Sequence, residues 1–124
     1  MRDFKSPANS KTTYLVVDDH PMFRSLLRTV LSGPDSEVFE ESNGESALQA
    51  YQNLRPTWVI MDIEMPLMDG LSATKHLKSI HPEARIAIVT QHNQDAYREE
   101  AMANGAELFI SKDNVIQLKD ILNR

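Results

Sequence analysis

Tyr14-Leu15-Val16-Val17-Asp18-Asp19-His20-Pro21 is the stretch on which the fold turns. Its four consecutive apolar residues do not alternate with polar ones, as a strand with one wet face would. A continuous apolar run is expected of a strand covered on both sides, the usual condition of a parallel sheet. The run ends abruptly in two carboxylates. Pro21 then stands where a helix tolerates it, in the first turn, whose N–H groups have no intrahelical partner anyway. Strand, acidic turn and helix follow within a few residues, which is the opening of a strand–helix–strand unit.

Working outward, the same rhythm recurs. Trp58-Val59-Ile60-Met61 and Ile86-Ala87-Ile88-Val89 are also continuous, and Leu108-Phe109-Ile110 is a shorter run of the same kind. Glu37-Val38-Phe39-Glu40-Glu41 is the most polar and is the expected edge strand. Amphipathic stretches lie between the runs. The first is expected to be capped by Asp19 or His20, to run through Phe23, Leu26, Leu27, Val30 and Leu31, and to stop at Gly33-Pro34. Ser42 with Glu45 three residues on reads as a capping box for a second helix through Ala47, Leu48 and Tyr51. A third helix is expected from about Leu71 to Ile80, before His81-Pro82. A fourth should cover Gln94 to Ala103, with Gly105 just past its end. A fifth, from Asp113, should bury Val115, Ile116, Leu118, Ile121 and Leu122. This alternation implies right-handed crossovers and a doubly wound α/β sandwich with five parallel strands.

Bulk properties narrow the function. The 124 residues suit one domain, with residues 1–12 read as a flexible leader and 13–124 as the fold. Eighteen acidic residues against 13 Lys plus Arg leave a net charge of −5, the wrong sign for a chain whose own surface holds nucleic acid. Cysteine is absent, which excludes disulfides and thiolate metal sites and fits the cytoplasm, the expected location. No apolar run approaches the roughly 20 residues of a membrane helix, so no membrane contact is expected.

The polar residues at the ends of the runs carry the chemistry. The first run ends in Asp18 and Asp19, the third in Asp62 and the fourth in Thr90, while Lys112 follows the fifth. In open α/β sheets the ligand crevice lies outside the carboxyl ends of the strands. Three carboxylates, a hydroxyl and an ammonium would therefore converge there, a set that core packing does not ask for. Crowded carboxylates repel until a cation or proton enters, and Mg²⁺ suits such a site because it takes hard oxygen ligands. A carboxylate can attack phosphorus to form an aspartyl phosphate, whose charge a metal ion and a lysine offset.

Asp18-Asp19-His20-Pro21, the block Asp62-Ile63-Glu64-Met65-Pro66-Leu67-Met68-Asp69-Gly70, and the isolated Thr90 and Lys112 together resemble the receiver domains of two-component response regulators. The resemblance spans about Tyr14 to Leu122, and it includes the intervals of 28 residues from Asp62 to Thr90 and 22 from Thr90 to Lys112. It implies a (βα)5 flavodoxin-like fold with strand order 2-1-3-4-5. It implies Asp62 as phosphoacceptor, and Mg²⁺ held by Asp19, Asp62 and the backbone carbonyl of Glu64, with Asp18 assisting through water. Lys112 would pair with the phosphoryl group or with Asp62. Thr90 and Phe109 would be the switch residues, read out on the surface of the fourth helix, fifth strand and fifth helix. The implied activity is that of a signalling switch with self-phosphorylation and slow self-dephosphorylation only.

The partners so implied are a sensor histidine kinase or histidine phosphotransfer protein, an output domain or protein, and a second copy of the chain on phosphorylation. The Asp-Asp-His opening, and Asp113 where many relatives have proline, resemble receivers that precede a helix-turn-helix domain. Gln91 stands where relatives have a small residue and would narrow the path to Asp62. Glu64 and His92 occupy positions that tune phosphoryl hydrolysis in relatives.

Residue by residue, blander roles compete. An Asp pair at a strand end can simply cap a helix, His20 reads as a helix-start residue, Phe109 as core, and Pro66 and Gly70 as loop-shaping residues. Two other functions also compete: an unphosphorylated module of the same fold, and a Mg²⁺-dependent phosphohydrolase with an aspartyl nucleophile. The latter typically places its second Asp two residues after the first, where this chain has His20.

Overall fold

The computed structural model describes residues 11–124. Its elements are β1 (Thr12–Val17), α1 (Pro21–Leu31), β2 (Ser36–Glu41), α2 (Gly44–Leu54), β3 (Trp58–Met61), α3 (Gly70–Ile80), β4 (Ile86–Thr90), α4 (Asp95–Ala103) and β5 (Leu108–Ser111). A 3-10 segment, Lys112–Gln117, then leads into a short α5 (Leu118–Leu122). Every strand pairing is parallel and the order is β2-β1-β3-β4-β5, so the chain has the expected doubly wound flavodoxin-like fold. Polar β2 does lie at an edge. Thr12 already pairs with Ser36, so the fold begins one residue before the expected boundary. Residues 1–10 of the expected leader lie outside the described residues.

The strands' period of two sorts their side chains into two cores. Leu15, Val17, Val59, Met61, Ile86 and Ile88 face a layer built by α2, α3 and α4, including Ala47, Tyr51, Leu77 and Ala101. Tyr14, Val16, Trp58, Ile60, Ala87 and Val89 face the other way, onto Leu27 and Leu31 of α1 and Leu118 and Leu122 of α5. Each fully buried Leu, Ile or Val contributes about 1.5–3 kcal/mol of transfer free energy. The sheet is therefore held from both faces, and its strand ends are a rigid platform.

Helix ends differ from expectation in instructive ways. Position N-cap of α1 is His20, but neither its side chain nor that of Asp19 caps the helix. The His20 N–H is instead taken by Asp18 Oδ1 at 2.8 Å, because the aspartates serve the crevice. The expected capping box at Ser42 is displaced by one residue: Asn43 is the cap, its Oδ1 accepting from the Ser46 N–H at 2.8 Å. Asp69 caps α3 by accepting from the Ser72 N–H at 2.9 Å. Helix α4 starts at Asp95 rather than Gln94 and closes through Gly105, whose φ of 107° is the left-handed stop a Schellman turn needs. The fifth helix departs most. Three residues per turn in its 3-10 segment put Val115 and Leu118 on one buried side and swing Ile116 outward, where it is 70% exposed.

Leu67, in the β3–α3 loop, has φ of 69° and an exposed side chain. A Cβ in the left-handed region costs roughly 1–2 kcal/mol, and Asn tolerates that region better than a γ-branched residue. Leu67→Asn is expected to stabilise the protein by roughly 0.5–1 kcal/mol. A thermal melt that does not move upward would show that the loop carries no such strain.

An acidic crevice at the carboxyl ends of the strands

The parallel ladders run one step past the formal strand ends, and this sets the site. Asp62 N–H donates to the Val17 carbonyl at 3.0 Å, and Asp18 N–H donates to the Glu41 carbonyl at 3.1 Å. Asp18 and Asp62 are thus pinned on neighbouring strands, only 1% and 4% exposed. Ligand-type atoms of Asp18, Asp19, His20 and Asp62 all lie within 4.8 Å of one another. Lys112 reaches in from the end of β5. Its Nζ is 2.9 Å from Asp18 Oδ2, 3.3 Å from Asp62 Oδ2 and 4.1 Å from the centre of the Phe23 ring. Lys112 does hydrogen-bond Asp62, its expected partner, and it also forms an ion pair with Asp18 at the shorter distance, because β1 lies beside β3 and brings a second buried carboxylate within its reach.

Burial, and then the neighbouring charge of Asp18, push the carboxyl of Asp62 above its ordinary range. The Lys112 ammonium and the Ile63 N–H, which Asp62 Oδ1 accepts at 2.8 Å, pull the other way without prevailing. Asp19 Oδ1 is buried and makes no hydrogen bond. His20 Nδ1 lies 3.1 Å from it without hydrogen-bond geometry, and does bond Asp18 Oδ1. A buried carboxylate oxygen without a donor is an open position for a cation. Three hard carboxylates around it are the donor chemistry Mg²⁺ prefers.

The remaining expected site residues are dispersed around this cluster. Thr90, last in β4, is wholly buried and its Oγ1 accepts the His92 N–H at 3.0 Å. Glu64 turns its carboxylate outward to His92 Nε2 at 3.0 Å, so the side chain does not join the acidic cluster. Phe109 is buried in the α2–α3–α4 core with the Arg98 guanidinium 4.7 Å above its ring. Gln91 lies at the surface beside His20 and Lys112, along a cavity of about 550 Å³ that Met22, Phe23 and Leu26 also line. Sequence reasoning missed His20 as a member of the cluster and Phe23 as a seat for Lys112. Neither has a local signal, since both read as ordinary helix-start and core residues.

Residues 14–123 match the model of the response regulator receiver domain. The chain belongs to that family. Among its receiver relatives, the chemotaxis protein CheY of Thermotoga maritima is 38% identical over 99 residues, 79% of this chain and 82% of that protein. The nitrate/nitrite response regulator NarL of Escherichia coli is 33% identical over 82% of this chain, which spans only 48% of NarL. The response regulator domain of Thermotoga maritima CheB superposes with a TM-score of 0.83 at 28% identity, covering 91% of this chain and 94% of that one. The chain is therefore a receiver of two-component signalling. Among the described residues, no helix of this receiver is long and apolar enough to cross a membrane.

Proposed function

We propose that this receiver takes a phosphoryl group from a phosphohistidine donor onto Asp62, and that the modification switches the α4–β5–α5 surface. The observation that carries this reading is the buried Asp18–Asp62 pair bridged by Lys112, with the unpartnered oxygen of Asp19 beside it. An Asp62 carboxylate oxygen attacks phosphorus, the P–N bond to the donor imidazole breaks, and that imidazole keeps the electron pair and takes a proton. Lys112 is placed to follow the charge, leaving Asp62 for a phosphoryl oxygen while remaining paired with Asp18. Thr90 Oγ1 accepts from His92, so its hydroxyl hydrogen stays available for a phosphoryl oxygen. Phe109 would move with Thr90, and its movement would break the Arg98 stack, worth about 0.5–2 kcal/mol.

Asp19, Asp62 and the Glu64 backbone carbonyl, with Asp18 behind them, would hold Mg²⁺. When bound, the ion supplies the charge that lets a phosphoryl group enter an acidic pocket. The donor would be a sensor histidine kinase or phosphotransfer protein, and the readout an output domain, a protein partner or a second copy of the chain. Retention of all the acids, the threonine and the lysine favours this reading over an unphosphorylated module. The adjacent Asp18-Asp19 pair does not fit the phosphohydrolase alternative.

Intact mass after incubation with Mg²⁺ and acetyl phosphate tests the proposal. A single base-labile phosphoryl adduct is expected on the parent and none on Asp62→Asn. Absence of an adduct, together with failure of beryllofluoride and Mg²⁺ to bind, would move the assignment to the unphosphorylated module. The same variant has a second signature. Because the folded-state pKa of Asp62 is raised above the ordinary value of 3.8, its contribution to stability is present below that value. The contribution is lost as pH rises through the folded pKa. Asp62→Asn should therefore melt higher than the metal-free parent at neutral pH, with the gap closing on acidification.

A further inference from the structure

We propose that Arg24 is a positioning residue that locks the Asp18–Asp19 peptide and thereby sets the affinity of the crevice for its cation; this rests on reading the crevice as a Mg²⁺ site. The need for such a lock follows from the chain path. The Val17 carbonyl is taken by the Asp62 N–H and the Asp18 N–H by the Glu41 carbonyl, which ends both ladders. The next acceptor, the Asp18 carbonyl, lies beyond them, and the helix that follows opens with Pro21, which has no N–H to offer.

Arg24, one turn into α1, folds back to fill the gap. Its Nη1 donates to the Asp18 carbonyl at 2.7 Å while its Nε donates to Glu40 Oε1 at 3.0 Å. The second oxygen of Glu40 accepts from Arg28 Nε at 2.7 Å. Hydrogen bonds to Arg28 first, and then to Arg24, hold the Glu40 carboxyl below the usual range, so it stays charged as the anchor. The Arg24 side chain is only 19% exposed, and its planar fork makes the two bonds from two nitrogens in a fixed geometry, which the single nitrogen of a lysine does not reproduce.

The bond is aimed at a main-chain oxygen and not at a carboxylate. Arg24 therefore holds the acidic turn without supplying the charge that the crevice draws from elsewhere. The peptide it locks joins Asp18, whose Oδ2 meets Lys112 at 2.9 Å, to Asp19, whose Oδ1 has no donor. Rotation of that peptide would displace both carboxylates together. Groups that orient ligands from behind typically change metal affinity by about 10–100-fold when removed.

Calorimetric titration of the full chain with Mg²⁺ alone, together with melting in EDTA, tests this. Arg24→Gln is expected to raise the Kd for Mg²⁺ by about tenfold. Arg28→Gln is the control: it strips the other partner from Glu40 without touching Asp18, and should leave the Kd within about twofold whatever it does to the melting temperature. Arg24→Lys, which keeps the charge without the rigid two-nitrogen fork, should fall between, and it carries the test if Arg24→Gln does not fold. Parent-like Mg²⁺ affinity in the folded Arg24 variants, or equal weakening in Arg28→Gln, would overturn the proposal and leave Arg24 as a helix brace. A parent that shows no Mg²⁺ binding would overturn the reading of the crevice itself, and the role of Arg24 with it.

Discussion

Lys112→Met should destabilise the metal-free protein by about 3 kcal/mol or more, the usual cost of leaving a buried charge without its partner. The side chains of Asp18 and Asp62 are 2% and 5% exposed, and Lys112 Nζ stands between them at 2.9 and 3.3 Å. Methionine is of similar length and apolar, so it can fill the space beside Phe23 while losing the ammonium that faces the ring at 4.1 Å, and the loss is chiefly of charge. Without the ammonium, the carboxyl of Asp62, already raised by burial and by Asp18, is pushed further in the same direction. The sign of the pH dependence follows. A raised folded-state pKa gives stability below the unfolded value that is lost as pH rises through the folded one. Lys112→Met should therefore recover towards the parent on acidification, gain more from Mg²⁺ than the parent does, and be largely rescued by adding Asp18→Asn. Denaturant unfolding in EDTA measures this. A variant within about 0.5 kcal/mol of the parent would mean that water, and not Lys112, already offsets the two acids.

Gly70→Ala should be as damaging, for a steric reason. A Cβ there would sit 1.7 Å from the Asp62 carbonyl oxygen and 2.7 Å from its carbonyl carbon. Both are backbone atoms of the strand end that bears Asp62, and Gly70 N–H is itself bonded to the Ile63 carbonyl at 2.7 Å. Nothing flexible can give way, so either α3 retreats or Asp62 moves. A loss of about 3 kcal/mol or more is expected, with phosphorylation impaired even where the variant is folded. Gly33→Ala is the contrast. Its Cβ would meet the Lys119 Nζ at 2.6 Å, the far end of a mobile side chain, and should cost less than about 1 kcal/mol. Equal melting temperatures for the two variants would sink the argument.

Gly70 also shows where sequence reasoning stops. It reads as a loop residue next to a helix, and only the approach of α3 to β3 reveals that no other side chain fits. Likewise, the Ser42-Glu45 pairing is a sound local motif that the loop passes over, because the chain enters α2 in extended form at Asn43. Ile116 follows a helical period that the 3-10 segment does not keep. Each miss concerns geometry set by a neighbouring element, and not the residues at hand.

The sequence by itself determined the alternation of five apolar runs with amphipathic stretches, the polar edge strand, and the residues delivered at each strand end. Those depend on hydrophobic period and on which residue follows a run, both local properties of the chain. The tertiary structure alone decided that Lys112 stands nearer Asp18 than Asp62, that His20 joins the acids, that Phe23 seats the lysine and that Arg24 holds the Asp18 carbonyl. These contacts depend on the strand order that sets β1 beside β3 and on how α1 folds back against β2. Hydrogen bonds and steric contacts across such junctions are decided within a few ångström, a separation that spacing along the chain does not encode.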